Sequence, residues 1–217
     1  MTRRRALIVR GGWPGHRPTE MTDLIIPFLE RSEFEVTVSE SLQVYADPEA
    51  MTGLDLIVQC WTLDEIDRPA LTGLIRAVSA GTGFAGWHGG IADSFRNSTH
   101  YLQMVGGQFV AHPGNFVDHE VVITQPDHPI VEGLSTIRLN SEQYWVLTDE
   151  YNDVLATTTL PVGENTRWRR PVTCPAIWTR QWGAGRVFVT TIGHHEPDFE
   201  MPDVRTVVER GMVWASR

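Results

Sequence analysis

Short, uninterrupted apolar runs constrain this chain more than any other feature of its sequence. Ala6-Leu7-Ile8-Val9 has no polar side chain on either face, the mark of a strand covered on both sides, and it ends in Gly11-Gly12. Leu54-Asp55-Leu56-Ile57-Val58 reads as another strand, ending at Cys60-Trp61, and Gly83 to Trp87 as one that runs into His88-Gly89-Gly90. Phe34 to Val38 alternates as a further strand. Between these runs the period changes to that of a helix. Met21, Leu24, Ile25, Phe28 and Leu29 fall on one face of a segment opened by Pro18, although Pro27 removes a backbone donor within it and predicts a kink or a break. Asp67 caps a second helix with Pro69 in its first turn, apolar Leu71, Leu74, Ile75 and Val78, and a stop at Gly81. Strand, helix, strand, strand, helix, strand at this spacing predicts an α/β domain with a mainly parallel sheet and right-handed crossovers.

The second half has another texture. Phe116 to Thr124 and Val154 to Thr159 read as strands, and Ala176 to Arg180 with Arg186 to Ile192 as a hairpin closed around Gly183-Ala184-Gly185. A last helix opens near Asp203 with Val204, Val207, Val208 and Met212 on one face. With 217 residues and no linker or repeat, residues 1–217 are expected to form a single domain.

Composition prunes the chemistry. All 18 basic residues are arginine, so lysine Schiff bases, lysine general bases and a Walker-type phosphate lysine are excluded. A net charge of −9 without a clustered basic face argues against a nucleic-acid partner. No apolar run approaches a membrane span and the N-terminus shows no cleavage signal, so a cytoplasmic protein without a membrane partner is expected. Cys60 and Cys174 have neither metal nor disulfide spacing and should be reduced and buried.

Ligands of open α/β sheets bind outside the carboxyl ends of the parallel strands, which sorts the eight histidines. His16 follows the first strand and His88 the fourth. His194 and His195 follow the strand ending at Ile192, and reach the same edge if that strand is the parallel member of its hairpin. Gly86-Trp87-His88-Gly89-Gly90 has the form of a nucleophile elbow with histidine at the projecting position, where an imidazole can act as base, metal ligand or hydrogen-bond donor. Glu196 lies two residues from His194 and can orient it. Glu142 is a candidate acid or base, and Tyr144 beside it can stack on a ligand. His112 in Ala111-His112-Pro113-Gly114 can face the same crevice, and Trp13, Trp61 and Trp87 follow or end strands where they can line a sugar-sized pocket. His100, His119 and His128 read as structural. His16, His88, Glu142 and His194 are also the ligand types of a catalytic zinc site, but none share a local ligand spacing; no cofactor is expected, with a divalent metal as the alternative.

Several motifs taken in order resemble a known family. Gly11-Gly12 with His16, Gly83 through Gly90, Gly106-Gly107-Gln108-Phe109-Val110-Ala111-His112-Pro113, His128-Pro129-Ile130 with Gly133-Leu134, Glu142-Gln143-Tyr144, and Trp178-Thr179-Arg180 through Gly185-Arg186-Val187 to Gly193-His194 are similar to the ThuA family of trehalose-utilisation proteins. The resemblance implies a flavodoxin-like three-layer sandwich, related to class I glutamine amidotransferases, whose antiparallel hairpin elaborates the C-terminal half. In those relatives the elbow carries a cysteine, completed by a later histidine and glutamate. Here His88 occupies the elbow and His194 and Glu196 stand where the pair would fall, so glutamine hydrolysis through a thiol should be absent. The family's link to sugar catabolism, including keto-disaccharides, makes a small-molecule sugar the expected ligand. The resulting expectation is a hydrolase or lyase acting on a carbohydrate or keto-sugar derivative. His88, His194 and Glu142 are its catalytic groups, and His16, Trp13, Trp87, His112, Tyr144 and Glu196 bind substrate. The alternatives are a non-catalytic sugar-binding or regulatory protein and a metal-dependent hydrolase. Tryptophans at the surface would mark a face for a homo-oligomer.

Overall fold

Successive side chains of the first strand, β1 (Arg4–Gly12), enter two different cores. Ala6 and Ile8 pack on one face of the sheet and Leu7 and Val9 on the other, all four at or below 1% exposure, as a doubly covered strand requires. The computed structural model describes residues 3–217. A 3-10 turn, Pro14–His16, leads into α1 (Pro18–Asp23) and α2 (Ile26–Arg31). The expected helix is thus two helices. Pro27 stands in the first turn of α2, where its missing N–H has no partner to lose, and the break falls at Leu24-Ile25. The chain continues through β2 (Phe34–Ser39), a 3-10 segment Leu42–Ala46, α3 (Pro48–Met51), β3 (Leu56–Thr62), α4 (Arg68–Ser79), β4 (Gly83–Trp87), α5 (Gly89–Ala92) and α6 (Thr99–Val105). Asp67 caps α4 as expected, accepting a hydrogen bond from the Ala70 amide.

The second half contributes β5 (Gly107–Ala111), β6 (Phe116–Ile123), β7 (Ile137–Glu142), β8 (Trp145–Thr148), β9 (Asp153–Leu160), β10 (Val172–Trp182), β11 (Gly185–Thr190), α7 (Glu196–Glu200) and α8 (Pro202–Ala215). Nine strands form one sheet in the order β2-β1-β3-β4-β11-β10-β9-β6-β7. The first five are mutually parallel in the doubly wound 2-1-3-4-5 pattern, and β11 pairs with β4 from Val187 opposite Phe84 to Thr190 opposite Trp87. The hairpin therefore inserts its second strand in the parallel sense. The antiparallel part exceeds a hairpin: β10, β9, β6 and β7 extend the same sheet, and β5 with β8 forms a separate two-stranded sheet.

Helices cover both faces. Met21, Ile25 and Leu29 join Val204, Val207, Val208 and Met212 of α8 against Ile8, Val58 and Phe188. On the other face Leu42 and Tyr45 join Ala70, Leu74 and Val78 of α4 and Met104 of α6 against Val9, Ile57 and Val189. The result is a flavodoxin-like three-layer α/β sandwich that delivers the ends of β1, β3, β4 and β11 to one edge. Among the described residues no helix is long and apolar enough to cross a membrane.

Candidate functional site

Four elements bring four side chains to that edge. His16 closes the turn after β1, His88 follows β4, His194 follows β11, and Glu142 is the last residue of β7. One ligand atom from each lies within 4.8 Å of all the others. Three form a tight triangle: His88 Nε2 is 3.1 Å from Glu142 Oε2 and 3.2 Å from His194 Nδ1, and the latter is 3.3 Å from Glu142 Oε2.

Local structure accounts for each placement. His88 adopts φ 49°, ψ −140°, a conformation costly for a residue with a Cβ, and the start of α5 and the β11 backbone hold it there. Its amide donates to the Thr190 carbonyl at 2.7 Å and its Nδ1 donates to the Thr191 carbonyl at 2.8 Å. A carbonyl only accepts, so Nδ1 carries the proton, and Nε2 of the neutral ring faces the cluster with its lone pair. His16 uses Nδ1 to reach Thr62 Oγ1 at 2.9 Å and is 7% exposed. Gly89 makes room for it, since a Cβ there would lie 2.3 Å from His16 Cε1. His194 is held through its backbone: Asp198 Oδ2 accepts from the His194 amide and from Ser141 Oγ, both at 2.8 Å.

Burial sets the protonation states. It pushes His16 down to about 3, helped by the neighbouring charges of His88 and His194. It also lowers His88, against opposition from Glu142 and the Thr191 carbonyl. For Glu142 burial acts upward, but the close approach of the His194 and His88 imidazoles outweighs it and holds the carboxyl below the usual carboxylate range. At neutral pH His16 and His88 are thus neutral and Glu142 is a carboxylate.

The remaining expected residues divide. Tyr144 is buried and stacks on His88 with ring centroids 4.1 Å apart, while burial and the Glu142 charge push its phenol well up. His112 approaches the other Glu142 oxygen, Nε2 to Oε1 3.7 Å. Trp13 is 46% exposed and meets His16 edge-on at 4.8 Å, leaving an indole face at the mouth of the site. Trp87 corrects the expectation of a pocket wall: it is 1% exposed and packed against Phe199, so it belongs to the core. Trp61 is also buried, its Nε1 donating to Asp64. Glu196 does not orient His194. Its carboxylate pairs with Arg17 at 2.8 Å, tying the loop of His16 to the loop of His194, and Asp198 takes the orienting role. Sequence reasoning missed Asp198, Thr62 and Phe116, whose half-exposed ring meets His194 edge-on at 5.1 Å. Thr62 had a signal, as the polar end of an apolar strand; Phe116 had none. Cys60 and Cys174 are free and buried, and neither is at the elbow.

The ThuA family model, described as trehalose utilisation, matches residues 5–215. The chain belongs to the ThuA family. Solved ThuA-like proteins share its architecture. One from Parabacteroides merdae superposes with a TM-score of 0.78 at 15% identity, over 98% of this chain and 90% of that one. Another from Bacteroides uniformis gives 0.75 at 14% identity over 98% and 91%. A cytoplasmic protein of Salmonella typhimurium gives 0.68 at 13% identity over 98% and 100%. These likenesses concern the fold. No curated protein matches the sequence of this ThuA-family chain.

Proposed function

We propose that this chain is a metal-dependent hydrolase or lyase acting on a carbohydrate or keto-sugar derivative, with His16, His88, His194 and Glu142 holding one divalent cation. The donor triangle carries this reading. Ligand atoms bound tetrahedrally at 2.0–2.1 Å stand about 3.3 Å apart, and the three observed separations are 3.1, 3.2 and 3.3 Å. The outer contacts fit as well: His88 and His16 each spend the other ring nitrogen on a protein oxygen, as metal-bound imidazoles do. A bound divalent ion would polarise a sugar oxygen or acidify a bound water.

The chain supplies the rest. Trp13 offers a flat apolar face for a pyranose ring. His112, at the free side of the Glu142 carboxylate and partly exposed, is placed to exchange protons with solvent. The sugar as ligand class rests on the family's trehalose-utilisation description. The cytoplasm is the proposed compartment, in keeping with two unpaired buried cysteines and the cytoplasmic Salmonella protein of the same fold.

One observation favours a second reading, proton transfer without metal. With His88 Nε2 unprotonated, a single His194 Nδ1 proton lies within reach of both Glu142 Oε2 and His88 Nε2, forming an acid–base relay. Turnover of a panel of disaccharides and keto-disaccharides, before and after chelation and with added Zn²⁺ or Mn²⁺, separates the readings. The metal reading expects activity that chelation removes and metal restores. Activity indifferent to chelation supports the relay, and binding without any turnover leaves a sugar-binding protein.

A further inference from the structure

Behind the turn that carries His112 lies a cavity of about 960 Å³, at the upper end of the range for small-molecule sites. Ala111, Pro113, Gly114 and Val117 form one wall of it, while His112 and Phe116 of the same turn face the histidine centre. The opposite wall is the segment 160–168. That segment is braced internally: Trp168 Nε1 donates to the Pro161 carbonyl at 3.0 Å, and Thr166 Oγ1 donates to the Gly163 carbonyl at 2.8 Å. Trp168 and Trp145 meet edge to face, 5.2 Å between centroids, giving the cavity two indole surfaces at a corner.

Gln143 also lines this cavity, at 4% exposure. Its Nε2 donates to Thr158 Oγ1 at 2.7 Å and to the Thr159 carbonyl at 3.1 Å. The carbonyl partner fixes the amide orientation, and no donor among the described residues reaches Oε1. An acceptor of fixed direction at the cavity surface is therefore left for a ligand. Asp118 and Arg167 add a carboxylate and a guanidinium to the lining.

We propose that this cavity is a second carbohydrate site that binds a neutral sugar of one or two rings, stacked on Trp145 and Trp168 with a ring hydroxyl donating to Gln143 Oε1. Aromatic corners combined with directed acceptors and a planar guanidinium suit a polyhydroxylated ring, whose C–H face is apolar and whose edge is polar. The inference shares with the proposed function only the class of ligand and does not require a metal or turnover.

The test is calorimetric titration of trehalose, maltose, cellobiose and sucrose into full-length His88→Ala protein, which disables the histidine centre. At least one sugar should bind, and Trp168→Ala, and separately Gln143→Met, should weaken it about ten-fold or more, with unchanged far-UV circular dichroism as the check on folding. Absence of binding by all four sugars overturns the proposal, as does binding that neither substitution alters. Self-association abolished by Trp168→Ala, without sugar binding, would assign the cavity to a second copy of the chain and also overturn it. Turnover present in the parent and lost in His88→Ala, with sugar binding at the cavity intact, supports both readings; turnover absent in the parent as well, with binding intact, would sink the proposed function alone.

Discussion

Gly89→Ala probes the histidine centre through a single methyl group. The new Cβ would stand 2.3 Å from His16 Cε1, 2.6 Å from His16 Nδ1 and 3.1 Å from Thr62 Cγ2. Ordinary contact begins near 3.4 Å, so the imidazole must retreat by about 1 Å (3.4 less 2.3), which breaks the 2.9 Å bond from Nδ1 to Thr62. Overpacking of this kind costs about 1–3 kcal/mol of stability. Misplacing one ligand should lower affinity for a divalent ion by about 10- to 100-fold. The decisive design is a cycle with His16→Ala, because truncating the ring removes the atom that the methyl strikes. The two substitutions should therefore be strongly non-additive, the double variant being no weaker in metal binding than His16→Ala alone and more stable than the sum of the singles implies. Affinities come from competition with a chromogenic chelator and stabilities from urea unfolding. Additive losses, or a Gly89→Ala protein that binds metal as the parent does, would refute the placement of His16 in the centre.

Further outcomes follow from the same geometry. In chelator-treated protein the folded state holds His16 neutral down to about 3 while the unfolded chain titrates near 6.5. This contribution is complete above about pH 6.5 and is lost as pH falls, by up to about 1.4 kcal/mol per pH unit; urea titrations from pH 7 to about 5 should show this slope flattened in His16→Ala, and an unchanged slope would contradict it. Burial pushes the Cys60 thiol up to about 12 and raises Cys174 as well, so neither should react with a thiol reagent at about pH 8 until the protein is unfolded, and rapid native labelling would reopen thiol chemistry. Asp198→Ala strips buried partners from the His194 amide and Ser141; at about 1–3 kcal/mol for each orphaned donor, thermal unfolding should shift well below the parent, and loss of activity without such a shift would mean that Asp198 acts otherwise.

Much of this is legible in the sequence alone. Uninterrupted apolar runs at residues 6–9 and 83–87 announce doubly covered strands, and Gly86 through Gly90 announces the sharp turn that presents His88. The convergence of His16, His88 and His194 follows from one rule about strand ends, once β11 is known to run parallel to β4. That direction could not be read locally, because both strands of the hairpin are apolar and hydrogen-bonding partners, not composition, decide which joins the parallel half. Glu142 was found as a residue type but not as part of a strand: β7 buries only alternate residues, and its two-residue period over Ile137 to Ser141 is brief. Asp198 and the pairing of Arg17 with Glu196 stayed hidden because they join segments whose proximity is created by the sheet.

Three imidazoles and a carboxylate are proposed to form a metal centre. Elemental analysis of untagged protein, purified without chelators and compared with His88→Ala and Glu142→Gln, tests it most directly. Close to one divalent ion per chain is expected in the parent, with a large loss in both variants. Metal-free parent protein that still converts its sugar would contradict it.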